Sequence, residues 1–569
     1  MSFKNEKIVE TKSCQKCQVS FDITDKDSEF YDKVSPVFNG EKFQIPAPKL
    51  CPDCREQRRL SFRNERHLYS RKCDFSGEDI VSVFSPDKEH KIYKNNYWWG
   101  DEWDPYKFGV EFDFSNNFFV QYNQLFKQTP HISILNDNGI NSENSEYCFN
   151  FSYGKNAYLV HTAWHVENSM YCRFGGDFKN CYDTILAWNS EHLYECSSVG
   201  DSYNCSYLMD SVNCKNCHFG LDLHGCSDCY FSIGLNNKQY CIFNKQYTKE
   251  QYHQMVNHFK SHETHHDLKN KFQELLKTHP IKGTYNSNSQ NCVGDRLLNS
   301  KNMYYCFNIF NGEDCKYYFG GADSPKDSCD ISIGGKHELG YESIVPDYSY
   351  KTCFTNLCFN SQNLYYCDNC HDSQYLFGCI GLRNKQYCVL NKQYTKEEYE
   401  QLIPKIITKM QQDGDWGEFF PSELSPFGYN ETVANECFPL AQKQAKQQGF
   451  NWSEYEAPFP KVEKTIPANK LPDNIKQIPD DILNWAIKCE VTNKLFRVTS
   501  QELKFYRKHD LPVPHRHPDQ RHLDRMNLRN PRKLFERSCG KCGVDLQSSY
   551  APDRLETVYC ENCYNTELY

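Results

Sequence analysis

The feature that most constrains the fold is a short phrase recurring about every twelve residues through the middle of the chain. A small or polar pair, often with Asn or Ser, leads into an aromatic, frequently next to a Cys. Instances are Ser145-Glu-Tyr147, Asn156-Ala-Tyr158, Ser169-Met-Tyr171, Asn180-Cys-Tyr182 and His192-Leu-Tyr194. Cys205, Cys217, Cys229 and Cys241 are spaced by 12 without slippage, and Cys148, Cys172 and Cys196 by 24. Short strands with turns at Asn, Ser, Asp and Gly fit this period. Self-similarity on this scale marks a solenoid, whose coils bury one another's faces. The expectation is a β-solenoid in which two phrases make a coil of about 24 residues.

The repeat is itself repeated. Leu235-Asn-Asn-Lys-Gln-Tyr-Cys241 returns 147 residues later as Leu382-Arg-Asn-Lys-Gln-Tyr-Cys388, and both copies continue to Asn-Lys-Gln-Tyr-Thr-Lys-Glu. Thr248 and Thr395 then stand as N-caps of helices. Such helices would cover the open ends of two solenoids, which otherwise expose strand edges.

Cysteine usage sets the chemistry. The chain has 569 residues and 31 Cys, an odd number that rules out complete pairing within one chain. The charged N-terminal segment lacks the apolar core of a signal peptide, so a cytoplasmic location with reduced thiols is expected. Clustered Cys then reads as metal binding or packing. The net charge is −9 and the mean hydropathy −0.78, and no apolar run approaches the ~18 residues of a membrane span. The acidic balance argues against wholesale coating of nucleic acid but leaves room for local basic patches. The twenty Cys between Cys148 and Cys388 read first as small buried residues stacked along the coils. Metal is the alternative, best at Cys214-x2-Cys217 with Cys226-x2-Cys229 and at Cys367-x2-Cys370.

The two ends of the chain are copies of one module. An offset of 466 carries Cys51-Pro-Asp-Cys54 to His517-Pro-Asp-Gln520, Arg63-Asn64 to Arg529-Asn530, Cys73 to Cys539 and Pro86-Asp87 to Pro552-Asp553. Upstream, an offset of 475 carries Cys14 to Cys489 and Phe30-Tyr31 to Phe505-Tyr506. The copies keep different metal sites. The first has Cys14, Cys17, Cys51 and Cys54, two Cys-x2-Cys knuckles that close a tetrahedral Zn²⁺ shell. Its counterparts Cys489, Thr492, His517 and Gln520 cannot. The second has Cys539, Cys542, Cys560 and Cys563, against Cys73, Ser76, Lys94 and Tyr97 in the first. Two structural zinc ions are expected, one at each end. Cys73 and Cys489 read as buried remnants.

Both modules carry a basic segment between their two site positions. Residues 49–72 hold 8 Lys and Arg against 3 acids, and residues 504–537 hold 10 against 4. Arg55, Arg58, Arg59, Arg63 and Arg66 fall at helical spacing; the second segment carries Arg521, Arg525, Arg529 and Arg532. Three readings stand side by side: contacts to a nucleic-acid phosphate backbone, a solvated face that pairs with the acidic remainder, or a surface for an acidic protein partner.

The motifs Cys51-Pro-Asp-Cys-Arg-Glu-Gln-Arg-Arg-Leu60, Arg63-Asn-Glu-Arg66, Tyr97-Trp-Trp99, Phe112-Asp-Phe114 and His517-Pro-Asp-Gln-Arg-His-Leu-Asp-Arg525 resemble those of the large zinc-ribbon proteins of candidate-phyla-radiation bacteria. The resemblance covers nearly the whole chain and implies zinc binding in a cytoplasmic bacterial protein, with no established activity. The CaiB/BaiF CoA-transferase label that similar sequences sometimes carry has no support here, since neither βαβ alternation nor a Gly-rich phosphate loop is present.

The expected architecture is therefore mainly β with α: two β-solenoid segments with helical caps, flanked by two homologous zinc-binding modules. The partition is an N-terminal module at 1–110, a first solenoid at 111–247, a cap at 248–283, a second solenoid at 284–394 and a cap at 395–428. A Pro-rich extended connector follows at 429–481, with Pro458, Pro460, Pro467, Pro472 and Pro479, then the C-terminal module at 482–569, entered through a short helix at Ile482–Ile487. The function expected is a non-enzymatic zinc-binding scaffold or binding protein, with an unknown protein or RNA as partner. No membrane and no small-molecule substrate is indicated. The first rival is an RNA- or ribosome-associated factor. The second, disfavoured, is a metal-dependent hydrolase or nuclease built on His515, His517, His522, Asp519 and Asp524.

Overall fold

The computed structural model describes residues 6–261, 265–459 and 461–568, so Pro460 lies outside the described residues. Two ladders of parallel strands form the body. The first runs from Phe149–Ser152 to Gln239–Ile242, and the second from Gln290–Leu298 to Gln386–Val389. Each strand pairs with its successor: His161 lies opposite Arg173, Arg173 opposite Ile185, and Ile185 opposite Ser197.

The coil is thus 12 residues long, and the expectation of 24 is corrected. The reason lies in the backbone. Every third residue takes a left-handed conformation, as at Asn180 (φ 53°), Asp183 (φ 55°), Leu186 (φ 59°) and Asn189 (φ 45°). Two extended residues and one left-handed corner make a side, and four sides close a coil. Asn, Asp and Gly adopt such corners readily, whereas Leu, Tyr or Phe there costs about 1–2 kcal/mol. Interlocking ladders offset that cost, because the corner amides donate to the preceding coil, as Asp183 N does to Met170 O at 3.1 Å. The 24-residue spacing of Cys148, Cys172 and Cys196 arises because Val160 and Thr184 occupy the same inner position in the intervening coils.

The residue after each corner points inward, and most solenoid cysteines sit there. Their chemistry suits the place. The Cys172 thiol donates to Met170 O at 3.3 Å and Cys181 O at 3.2 Å, and Cys358 donates to Asn356 O at 3.4 Å and Cys367 O at 3.6 Å. Inner serines do the converse work, as when Cys181 N donates to Ser169 Oγ at 3.0 Å. A narrow interior lined by carbonyls and amides needs small side chains that fill space and still make a hydrogen bond. Burial pushes the Cys172 and Cys196 thiols up to about 12.

Helices close the coils. Lys249–Ser261 and His265–Thr278 cover the end of the first solenoid, where Tyr252 and Val256 pack on Tyr230, Phe231 and Ile242. Lys396–Asp413 covers the second; Thr395 and Glu398 form a capping box, and Gly414 ends the helix in a left-handed turn (φ 80°).

Three boundaries differ from expectation. Residues 111–148 precede the regular coils and include the helix Phe118–Gln128, whose Phe118 packs on Tyr366 and Phe377 of the second solenoid. The connector is no free tether. Tyr429, Val433, Ala434 and Phe450 pack on Leu60, and Ala468, Leu471, Ile475 and Ile478 enter the core of the C-terminal module. Its apolar residues, placed between the prolines, anchor it. The helix expected at Ile482–Ile487 is a 3-10 turn, Asp480–Asn484, followed by a strand, Trp485–Lys488. In that strand Ile487 pairs with Phe496 of the knuckle hairpin. Trp and Ile favour that pairing over a helix.

The modules share one element order. A hairpin, Ile8–Ser13 with Ser20–Thr24, matches Trp485–Lys488 with Leu495–Phe496. Helix Asp25–Val34 matches Ser500–Lys508, each opened by a capping box, Thr24 with Asp27 and Thr499 with Glu502. Helix Pro52–Leu60 matches Pro518–Leu528, and hairpin Tyr69–Lys72/Asp79–Ser82 matches Phe535–Ser538/Asp545–Ser548. The N-terminal module sits on the second solenoid and the C-terminal module on the first.

Candidate metal centres and the arginine helices

Each knuckle is built by a tight hairpin. In the first module Cys14 N donates to Val19 O, and in the second Cys539 N donates to Val544 O at 2.8 Å. A short helix brings up the other pair: Cys51 is the N-cap of Pro52–Leu60, and Cys560 immediately precedes Glu561–Leu568. The Sγ atoms of Cys14, Cys17, Cys51 and Cys54 all lie within 4.8 Å of one another, as do those of Cys539, Cys542, Cys560 and Cys563. Tetrahedral zinc–thiolate bonds of about 2.3 Å require sulfur–sulfur edges near 3.8 Å. The edges Cys17–Cys51 at 3.6 Å and Cys542–Cys560 at 3.8 Å match that size. Both donor sets therefore fit a closed four-thiolate zinc shell with no open coordination position.

The electrostatics agree. A hydrogen bond from Cys54 and the amides of its helix N-terminus bring the Cys51 thiol down to about 5, and Cys54 is pushed up in turn. Burial opposes ionisation of Cys539, but backbone hydrogen bonds from Cys542, Cys560 and Lys541 outweigh it, leaving that thiol at about 6.

The degenerate sites keep the hydrogen bonds and have lost the ligands. Cys73 accepts from Lys94 N at 3.3 Å, and its counterpart Cys539 accepts from Cys560 N at 3.3 Å. In the second module, Thr492 N donates to Cys489 while His517 Nδ1 accepts from Asp519 N as a helix cap. Among the described residues, the solenoid pairs Cys214/Cys217, Cys226/Cys229 and Cys367/Cys370 form no comparable ligand group; their thiols donate to coil carbonyls. Among the described residues, the histidines and aspartates considered for hydrolysis form no metal-ligand group. Asp519 pairs with Arg66 and lies 3.4 Å from His517, Asp524 pairs with Arg516, and His522 is buried near Glu436.

The nine arginines read as candidate phosphate contacts are turned into the molecule, which corrects that reading. Arg55 meets Asp330 at 2.8 Å, Arg58 meets Glu342 at 3.1 Å and Glu418 at 3.0 Å, and Arg59 meets Glu342 at 2.8 Å. Arg63 pairs with Glu65 and donates to Thr162 at 2.9 Å. In the second module Arg521 meets Asp183 at 3.0 Å, while Arg525 meets Asp183 at 2.8 Å and Glu195 at 3.0 Å. Arg529 donates to Asn308 at 3.1 Å. Arg66 reaches Asp519 at 3.1 Å, and Arg532 reaches Glu56 at 2.9 Å, so the modules grip each other reciprocally. The guanidiniums of Arg55 and Arg59 are fully buried. The alternative, pairing with the acidic remainder, describes these contacts, except that they are buried rather than solvated.

No family model and no curated protein matches the chain. Among solved structures, a protein described as an acetyltransferase from Desulfovibrio desulfuricans G20 aligns over 48% of this chain and 81% of its own, at 8% identity and a TM-score of 0.10. A superposition that loose carries no argument about fold or activity. Among the described residues, no helix is long and apolar enough to cross a membrane.

Proposed function

We propose that the protein is a non-enzymatic scaffold in which two zinc-stabilised modules clamp a paired solenoid body. The observation that carries this reading is the convergence of four thiols at each end of the chain. A saturated thiolate shell supplies folding energy and has no open position for a reacting water. The arginine helices extend the same role inward, since they fix each module to the coils. The test is elemental analysis of purified protein. Two zinc ions per chain are expected, and zero would overturn the reading. Four or more would move the function to the solenoid thiols.

A further inference from the structure

The second solenoid carries two adjoining stripes of polar side chains that open onto one groove. On one corner, Tyr348, Asn360, Asp372 and Asn384 follow one another on successive coils, all left-handed. On the adjoining face, Tyr350, Gln362, Gln374 and Gln386 stand in register. Gln362 donates to Gln374 at 2.7 Å, and Gln374 donates to Gln386 at 3.1 Å. Each amide keeps further donor and acceptor capacity facing outward. The tyrosines are exposed, Tyr348 by 68% and Tyr350 by 44%.

The stripes floor a groove of about 690 Å³ walled by Tyr106, over whose ring the Lys385 ammonium lies at 4.4 Å. The wall is fastened to the coils: Arg383 donates to Gly100 O at 3.0 Å and Val110 N donates to Leu390 O at 3.1 Å. A second recess of about 360 Å³, lined by Trp99 and Trp103, shares Asp372, Asn384 and Lys385 with the first. The corresponding stripes of the first solenoid, 147 residues earlier, read Asp201, Asn213, Gly225, Asn237 and Tyr203, Lys215, Ser227, Gln239. The glutamine ladder of this face belongs to the second solenoid alone.

We propose that this groove binds a neutral oligosaccharide. Flat aromatic rings at one end give faces for the apolar side of a sugar ring, and the amides give paired donors and acceptors for its hydroxyls. Coils stack about 4.8 Å apart, close to the length of one sugar unit along an extended chain. Asp372 and Lys385 balance in charge, so the groove has no excess for a polyanion. The inference rests on the scaffold reading, since it asks for binding and no reaction.

The test is retention of the full-length, zinc-loaded protein on an array of neutral hexasaccharides built from glucose, xylose, mannose or N-acetylglucosamine, followed by calorimetric titration of those retained. Tyr348→Ala and Gln374→Ala should each weaken binding about tenfold, with thermal unfolding unchanged in Tyr348→Ala, whose side chain is exposed, and only slightly lowered in Gln374→Ala, which loses two ladder hydrogen bonds at the surface. Lys215→Ala, on the equivalent stripe of the first solenoid, should leave binding intact. Retention of none of these sugars, retention that survives the double variant Y348A/Q374A, or binding confined to anionic glycans, RNA or peptide overturns the proposal. Two zinc ions per chain alongside any of those results would leave the scaffold reading standing, so the two failures are separable.

Discussion

The chain is two module-and-solenoid units, and their contacts correspond almost atom for atom. Arg55 and Arg59 of the first module address Asp330 and Glu342; their counterparts Arg521 and Arg525 address Asp183 and Glu195, which lie 147 residues before the same acids. Phe30 and Tyr31 pack on Tyr341 as Phe505 and Tyr506 pack on Tyr194. Arg55 lies over Tyr317, and Arg521 lies over Tyr171. Yet the first module docks on the second solenoid and the second module on the first. The docking contacts are equivalent in the two units, whereas the four-cysteine groups stand at different positions of the module. That contrast teaches that each module keeps one four-cysteine group that could hold a zinc ion and one pair of arginines, a helical turn apart, at its docking face. Which of the two knuckle positions carries the four cysteines differs between the modules.

Metal removal should break this equivalence most sharply. Replacing Cys560 and Cys563 by Ser should remove one zinc and unfold the C-terminal module locally, a loss on the order of 10 kcal/mol of metal-linked folding energy. The zinc of Cys14, Cys17, Cys51 and Cys54 should stay, as elemental analysis and proteolytic mapping would show; loss of both ions would mean the units do not fold separately. Next in size are the docking acids. Asp330→Asn and Asp183→Asn each leave a buried guanidinium short of a partner and should cost about 3–5 kcal/mol in denaturant unfolding. A large cost in one and none in the other would make the correspondence formal only.

Acid should test a contact that has no positional counterpart in the second module. Burial alone would raise Glu65, but the Arg173 and Arg63 guanidiniums outweigh it and hold this carboxyl at about 2. The position 466 residues on is Pro531, so the second module has no equivalent. A carboxylate whose folded value lies below its ordinary one stabilises fully above about pH 4.5, and that stabilisation is lost as pH falls through about 2. Glu65 should therefore contribute about 3 kcal/mol at neutral pH, and Glu65→Gln should flatten the pH dependence of unfolding between those values. The smallest effect is expected inside the coils. Cys358→Ser keeps a donor for the same carbonyls and should cost about 1 kcal/mol. Native protein should react slowly with thiol reagents at the solenoid positions and quickly at Cys17 and Cys542, once zinc is chelated; fast labelling of the solenoid would mean the coils open readily.

Much of this plan was legible in the residues. The Cys-x2-Cys spacings located both donor sets, the offsets of 466 and 475 located the modules, and Thr395 located a cap. Coil length was not legible, because a period of twelve fits a whole coil or half of one. The deciding fact is the left-handed corner at residues such as Leu186 and Tyr171, types that give no sign of it. The fate of the arginines was hidden for another reason. Their partners, Asp330 and Glu342, lie more than 270 residues away, and a basic stretch looks the same whether it faces solvent or a buried acid. The strand Trp485–Lys488 forms where hairpin pairing overrides a helical-looking run.

The twelve-residue coil also behaves as a unit of counting. The second solenoid contains one coil of 11 residues, where Asn291 stacks on Asn302, and later one of 13, where Glu313 lies opposite Lys326. The deficit is repaid by the surplus, and the inner, corner and outer positions return to phase before the docking acids Asp330 and Glu342 are reached. Like a reading frame, such a structure absorbs a slip only if a second slip restores it, and otherwise grows or shrinks by whole coils. Length changes in this family of coils should therefore come in twelves, or in compensating pairs upstream of any side chain that a module must grasp.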